Sequence, residues 1–307
     1  MTIRKRGTWI LRWAVSAGLL GWILTRVEFG RFLAEVPHLD VFWLLGGLAC
    51  AGLSLALGAW RWQACLRALG MEVGFWSLFK ITLAATAAGC VSFGSLGVDL
   101  AKVVLAGRYL PGRRGGVLSS LVLDHVSALP WMVVMILLVV VQAHGAAPEL
   151  DTSGAWVAVG VAVGVAAVGV VVGLRFKSLY GKMMRVLGDR ATWHGLVIAG
   201  FRSVPMWLAY CGIFYCAARA FGVVVPAAGF AGVVVVAGGV ASLPVTIAGI
   251  RVREEAVRGV LGDWYGVPSA SAVAVSLTGF SLSLVWAAAG AFGFAGGSVK
   301  TANIAIS

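Results

Sequence analysis

Three groups of charged residues stand in or beside apolar stretches of this chain. A charge in such a place costs several kcal/mol unless it is paired or hydrated, so each group is a candidate for function. The first is Asp99 and Lys102. Three positions apart, they share one face of a helix. Beside a glycine-rich break, Lys102 and the free backbone N–H groups of a helix start could meet a phosphate; the alternative is an interfacial ion pair. The second is Asp124-His125, inside an apolar segment that continues to Pro130 and Trp131. Asp124 needs a partner there. A proton relay through His125 is one answer, since free histidine side chains exchange protons near neutral pH. A structural pair with a basic residue of the first group is the other. The third group is Arg251, Arg253, Glu254 and Glu255. Guanidinium matches phosphate bidentately, so two arginines beside a broken helix suit a lipid headgroup. Glu254 can neutralise one of them when the site is empty. The alternative is a charged loop at a membrane surface.

Other chemistry finds no support in the residues. The four histidines form no metal-ligand pattern, so no metal and no cofactor is expected. Walker A, H-E-x-x-H and G-x-S-x-G patterns are absent from the sequence, and no catalytic set emerges. The five cysteines show no paired spacing, and most lie in apolar stretches, where cysteine behaves as a small hydrophobe. Arg202 stands near one end of an apolar segment, where a long basic side chain snorkels to the interface. Trp60-Arg61-Trp62 reads as an interfacial aromatic belt.

The elements that must position these groups follow from composition. The 307 residues are 60% apolar and 12% charged, with a mean hydropathy of +0.96. Soluble domains carry about 25% charged residues. The chain is therefore an integral membrane protein. The net charge of +12 comes from 24 basic against 12 acidic residues. Cytoplasmic loops of membrane proteins collect lysine and arginine, so this excess needs no nucleic acid.

Eight apolar segments can be marked, at 8–25, 41–59, 75–96, 117–141, 155–174, 195–218, 221–248 and 269–295. Most reach the ~20 residues that a span requires. Arg4-Lys5-Arg6 places the N-terminus in the cytoplasm. Loops 60–74, 98–116 and 175–193 are basic and read as cytoplasmic; 26–40 and 142–153 are acidic and read as external. A conflict appears at 75–96, which has basic loops on both sides. It is resolved if this segment enters from the cytoplasm and returns, broken at Gly94 and Gly97. The segment 221–248 repeats the pattern from outside, broken at Pro244 and Gly249.

The fold expected is an all-α polytopic membrane protein. It has about six full transmembrane helices plus two broken re-entrant segments in an inverted repeat, the alternative being eight plain spans. The single membrane domain, 1–307, divides into halves 8–143 and 154–297. Gly89-Cys90-Val91-Ser92 and Gly239-Val240-Ala241-Ser242 are a weak internal likeness between them. Gly160, Gly164, Gly169 and Gly173 fit close helix packing.

With these clusters in place, the sequence resembles the lysylphosphatidylglycerol synthase transmembrane-type family, also called flippase-like domain proteins, from about Ile10 to Phe294. Arg61-Trp62 matches an arginine-tryptophan at the end of the second span. Leu96-Gly97-Val98-Asp99 with Lys102 matches a glycine-glycine-aspartate turn and its basic residue. Asp124-His125 stands for aspartate-arginine, and Pro244 through Gly249 to Arg251, Arg253 and Glu254 for a proline, glycine-rich turn and arginine-glutamate. The letters differ at Val98, His125 and Arg251, where the family carries glycine, arginine and glycine.

The resemblance implies a multi-pass protein of the bacterial inner membrane that moves, or helps move, a charged-headgroup lipid between leaflets. Its expected partners are anionic or phosphate-headgroup membrane lipids. The chain runs to Ser307, shortly after the last apolar segment, so a synthase or glycosyltransferase is expected to be a separate protein. A homo-oligomer is compatible with the sequence. The other reading is an accessory subunit or enzyme of polyprenyl-phosphate-linked glycan or aminoacyl-lipid synthesis. Its acidic pair would be Glu149 and Asp151, which stand in what looks like a plain loop.

Overall fold

The structure is a computed structural model that describes residues 39–90, 95–146, 189–234 and 252–296. The apolar segments 8–25 and 155–174, and Gly94, Pro244, Gly249 and Arg251, lie outside the described residues. The principal helices are α1 (Val41–Ala68), α2 (Phe75–Cys90), α3 (Ser95–Ala106), α4 (Arg114–Ala146), α5 (Arg190–Ala220), α6 (Val252–Tyr265) and α7 (Ser269–Gly296). A further helical stretch runs over 229–234.

Four of the described helices are long and apolar enough to cross a membrane: α1, α5, and the stretches Arg114–Met135 of α4 and Ser269–Ala291 of α7. At ~1.5 Å per residue, the 28 residues of α1 run about 42 Å, against a hydrocarbon core of ~30 Å. Helix is the form the chain must take there, because it satisfies each backbone N–H and C=O without water.

The ends of α1 and α5 are built alike. Asp40 caps α1, its Oδ1 accepting from Phe42 N at 2.9 Å, and Asp189 caps α5 through Thr192 N at 3.2 Å. At the C-terminal ends, Gly70 and Gly222 have φ of +66° and +70°, a conformation open to glycine. Met71 N donates to Leu66 O, and Val223 N to Ala218 O, closing the same turn.

The two helices run antiparallel. Near one end, Gly195 packs on Ala68; further along, Gly212 packs on Cys50 and Gly47 on Cys216. At the other end, Asp40 N donates to Ala220 O at 3.1 Å. With no Cβ at these glycines, the backbones approach closely, which is how helices in lipid gain dispersion energy. α4 runs antiparallel to α1, with Gly116 against Met71 at its start. α7 runs parallel to α1, with Gly47 beside Leu282, Gly52 beside Trp286 and the Trp286 indole donating to Leu48 O at 2.8 Å.

α2 and α3 are too short to cross alone, 16 and 12 residues or about 24 and 18 Å. They pack against each other. The chain before α2 meets the chain after α3: Arg113 Nη1 donates to Gly70 O at 3.0 Å, beside the Met71–Gly116 contact. The segment therefore enters and returns at one face, the face that also carries Arg67, Arg108, Arg114 and Arg190. The conflict in the charge pattern has this turn-back as its cause. Between α5 and α7, the described stretches 222–234 and 252–268 meet at the opposite face. Gly229 lies against the Tyr265 hydroxyl, and Val225, Phe230, Leu261 and Val267 share one apolar core.

Two boundaries differ from those read in the sequence. Gly97 is the third residue of α3 and buried, so the helix has already restarted before it. The loop read at 60–74 begins only after Ala68, which places Arg61 inside α1.

Candidate functional site

α1, α3 and α4 bring together five charged or titratable side chains. Arg61 is seven residues from the end of α1, or about 10 Å, and Asp124 lies ten residues into α4, or about 15 Å. Both are inside their spans. They form a bidentate ion pair: Arg61 Nε donates to Asp124 Oδ1 at 2.7 Å and Nη2 to Oδ2 at 2.8 Å. Their side chains are 11% and 3% exposed, so the pair is dry. A carboxylate so placed persists because the guanidinium fork satisfies both oxygens.

The neighbours fix this geometry. Trp62, fully buried, donates its indole N–H to Ser120 Oγ at 3.0 Å, and Ser120 donates onward to Val117 O at 2.7 Å. Gln63 Nε2 donates to Val73 O at 2.9 Å, tying α1 to the approach of α2. Ser127 Oγ donates to Asp124 O at 2.8 Å. The apolar surround includes Ala59, Cys65, Leu66, Leu78, Ile81, Val117 and Leu121.

α3 adds Lys102 and Asp99. The Lys102 ammonium lies over the Trp62 ring, 5.2 Å from its centroid, a cation–π contact that still leaves N–H donors. Asp99 Oδ2 lies 3.5 Å from His125 Nε2 on α4. The other ring nitrogen, Nδ1, is 2.9 Å from Leu121 O. One atom stands out: Arg61 Nη1 is buried and has no hydrogen-bond partner among the described residues. A buried guanidinium N–H without an acceptor is costly, and an anionic oxygen is the group that would satisfy it.

Of the residues singled out in the sequence, Asp99, Lys102, Asp124 and His125 meet here. The partner of Asp124 is Arg61, not a basic residue of the Asp99–Lys102 group. Arg61 and Trp62 are not an interfacial belt: both are drawn inward, and only Trp60 of the three is exposed. Arg202 does more than snorkel. It donates from Nη1 to Trp60 O at 2.8 Å and stacks over the Trp60 ring at 4.1 Å. Arg253 and Glu254 stand in the first turn of α6, which also touches α4; their side chains lie outside the described residues, as does Arg251.

Four helices long and apolar enough to cross a membrane, a short helix pair that turns back at one face, and an ionic cluster inside the spans define an all-α polytopic membrane protein. The family model described as lysylphosphatidylglycerol synthase TM region matches residues 9–290, and the chain belongs to that family. A search of curated proteins found no match.

Proposed function

We propose that the protein is a lipid translocase of the bacterial inner membrane, with its N-terminus in the cytoplasm, that carries a phosphate-headgroup lipid between leaflets without chemical change. The observation that carries this reading is the Arg61 Nη1 donor left without an acceptor among the described residues, in the same cluster as Lys102, whose ammonium lies over the neighbouring Trp62 ring. Arg61 and Lys102 bind the headgroup phosphate, while the acyl chains stay in lipid. Asp124 and Asp99 offset these two cations, so the empty site is close to neutral. Arg253 and Glu254, in the first turn of α6, and Arg251, which precedes that helix in the sequence, supply the matching contacts from the second half. The basic face is cytoplasmic, in keeping with the bias of such loops.

The antiparallel α1–α5 pair, with like caps and like turns, supports reading the chain as two inverted halves. Alternating access then comes from one half rocking on the other.

The test is leaflet-resolved exchange in vesicles. Purified protein is reconstituted with fluorescent phosphatidylglycerol, aminoacylated phosphatidylglycerol or polyprenyl phosphate, and headgroup access to an external quencher is followed. Exchange of one class is expected. Lys102→Ala should slow it about 10- to 100-fold, the worth of one charge-assisted hydrogen bond. Folded protein that exchanges none of the three lipids overturns the proposal, and the accessory-subunit reading replaces it.

A further inference from the structure

The contact between His125 and Asp99 carries a consequence for energy coupling, and it rests on the translocase reading above. Leu121 O can only accept a hydrogen bond, so the proton at His125 Nδ1 is fixed by the 2.9 Å contact. In a neutral ring, Nε2 then bears a lone pair. It faces Asp99 Oδ2, which in a carboxylate also bears only lone pairs, at 3.5 Å. Two acceptors do not attract. The contact is favourable when one further proton resides on the pair, giving either imidazolium with carboxylate or neutral imidazole with carboxylic acid.

We infer that His125 and Asp99 form a proton-binding pair that latches the re-entrant arm α3 to the span α4, and that lipid movement is thereby coupled to protons. Loading one proton closes the latch and holds Lys102, one turn along α3, over the Trp62 ring. Losing it sets lone pair against lone pair and frees α3. The His125 side chain is 60% exposed and Asp99 23%, so the pair is not enclosed by protein, unlike the Arg61–Asp124 pair. The charged groups around the ring are Asp99 and Lys102 on α3, Arg61 on α1 and Asp124 on α4 itself. Arg202 of α5 is engaged with Trp60. α6, which also touches α4, carries Arg253, Glu254, Glu255, Arg258 and Asp263.

Two measurements test this on the full chain. In vesicles with fluorescent phosphatidylglycerol, a transmembrane pH gradient of either sign is imposed and the exchange rate compared with no gradient. A several-fold acceleration by one sign is expected. His125→Gln and His125→Arg should bring the ratio to about one whatever the absolute rate, since one cannot charge and the other cannot discharge. Separately, ¹⁵N-histidine NMR of the detergent-solubilised protein, assigned with His125→Gln, should show the Nδ1–H tautomer at high pH. A second proton should join the ring on acidification, and Asp99→Asn should alter that step. Exchange that occurs but ignores the gradient overturns proton coupling and leaves the translocase standing. Absence of exchange with every lipid overturns both the translocase and its coupling. A ring that keeps Nε2 protonated and Nδ1 bare overturns the latch itself.

Discussion

Arg61→Leu is expected to lower the stability of the protein by about 3–5 kcal/mol, because it strands the Asp124 carboxylate in a dry site. Asp124→Leu should cost a similar amount by stranding the guanidinium. The double variant separates two roles of the pair. With both charges gone, a leucine pair restores packing and removes the desolvation cost, so most of the lost stability should return. Transport should not return, since Arg61 Nη1 is gone with its partner. Thermal unfolding followed by size exclusion in detergent reads the first quantity and vesicle exchange the second. If Arg61→Leu were as stable as the parent protein, the ion pair would not exist as described. If the double variant still moved lipid, Arg61 would be a structural residue alone.

The second large effect is expected at Gly290 of α7. A Cβ there would stand 2.5 Å from the Leu83 carbonyl carbon and 2.6 Å from its oxygen. Backbone of α2 cannot yield as a side-chain tip can. Gly290→Val should therefore push the re-entrant arm off the span, at a cost of about 3 kcal/mol or more. Gly46→Ala is the control, because its Cβ would meet only Cys216 Sγ at 3.5 Å, an ordinary contact. A lowered unfolding temperature for the first and a parental one for the second are the expected results. Equal behaviour of the two would mean that α2 and α7 are not in backbone contact.

The turn-back at 75–96 was legible in the sequence because charge bias is a global constraint. Basic loops on both sides of one apolar segment admit few other arrangements. The cluster was legible in part. Asp99, Lys102, Asp124 and His125 announce themselves as charges among apolar residues. Arg61 was not legible, since tryptophans on both sides and a following polar stretch gave it the look of a membrane boundary. Its true environment depends on a helix that comes 63 positions later. Helical periodicity offers no help, because a span is apolar on its lipid face and on its packed face alike. The glycines at 195 and 212 were hidden for a similar reason: only the neighbour's position says which glycine is a contact and which is filler.

The Arg61–Asp124 pair also bears on how the molecule is made. Asp124 alone adds a cost of up to about 3 kcal/mol to the insertion of α4. α1 leaves the ribosome first, and Asp124, 63 positions after Arg61, follows about 3 to 13 s later at ~5–20 residues per second. For that interval the arginine waits without its aspartate. When α4 arrives, forming the pair offsets that cost, so docking on α1 favours the insertion of α4. A variant lacking Arg61 is thus expected to insert α4 less efficiently, in addition to its lower stability once assembled.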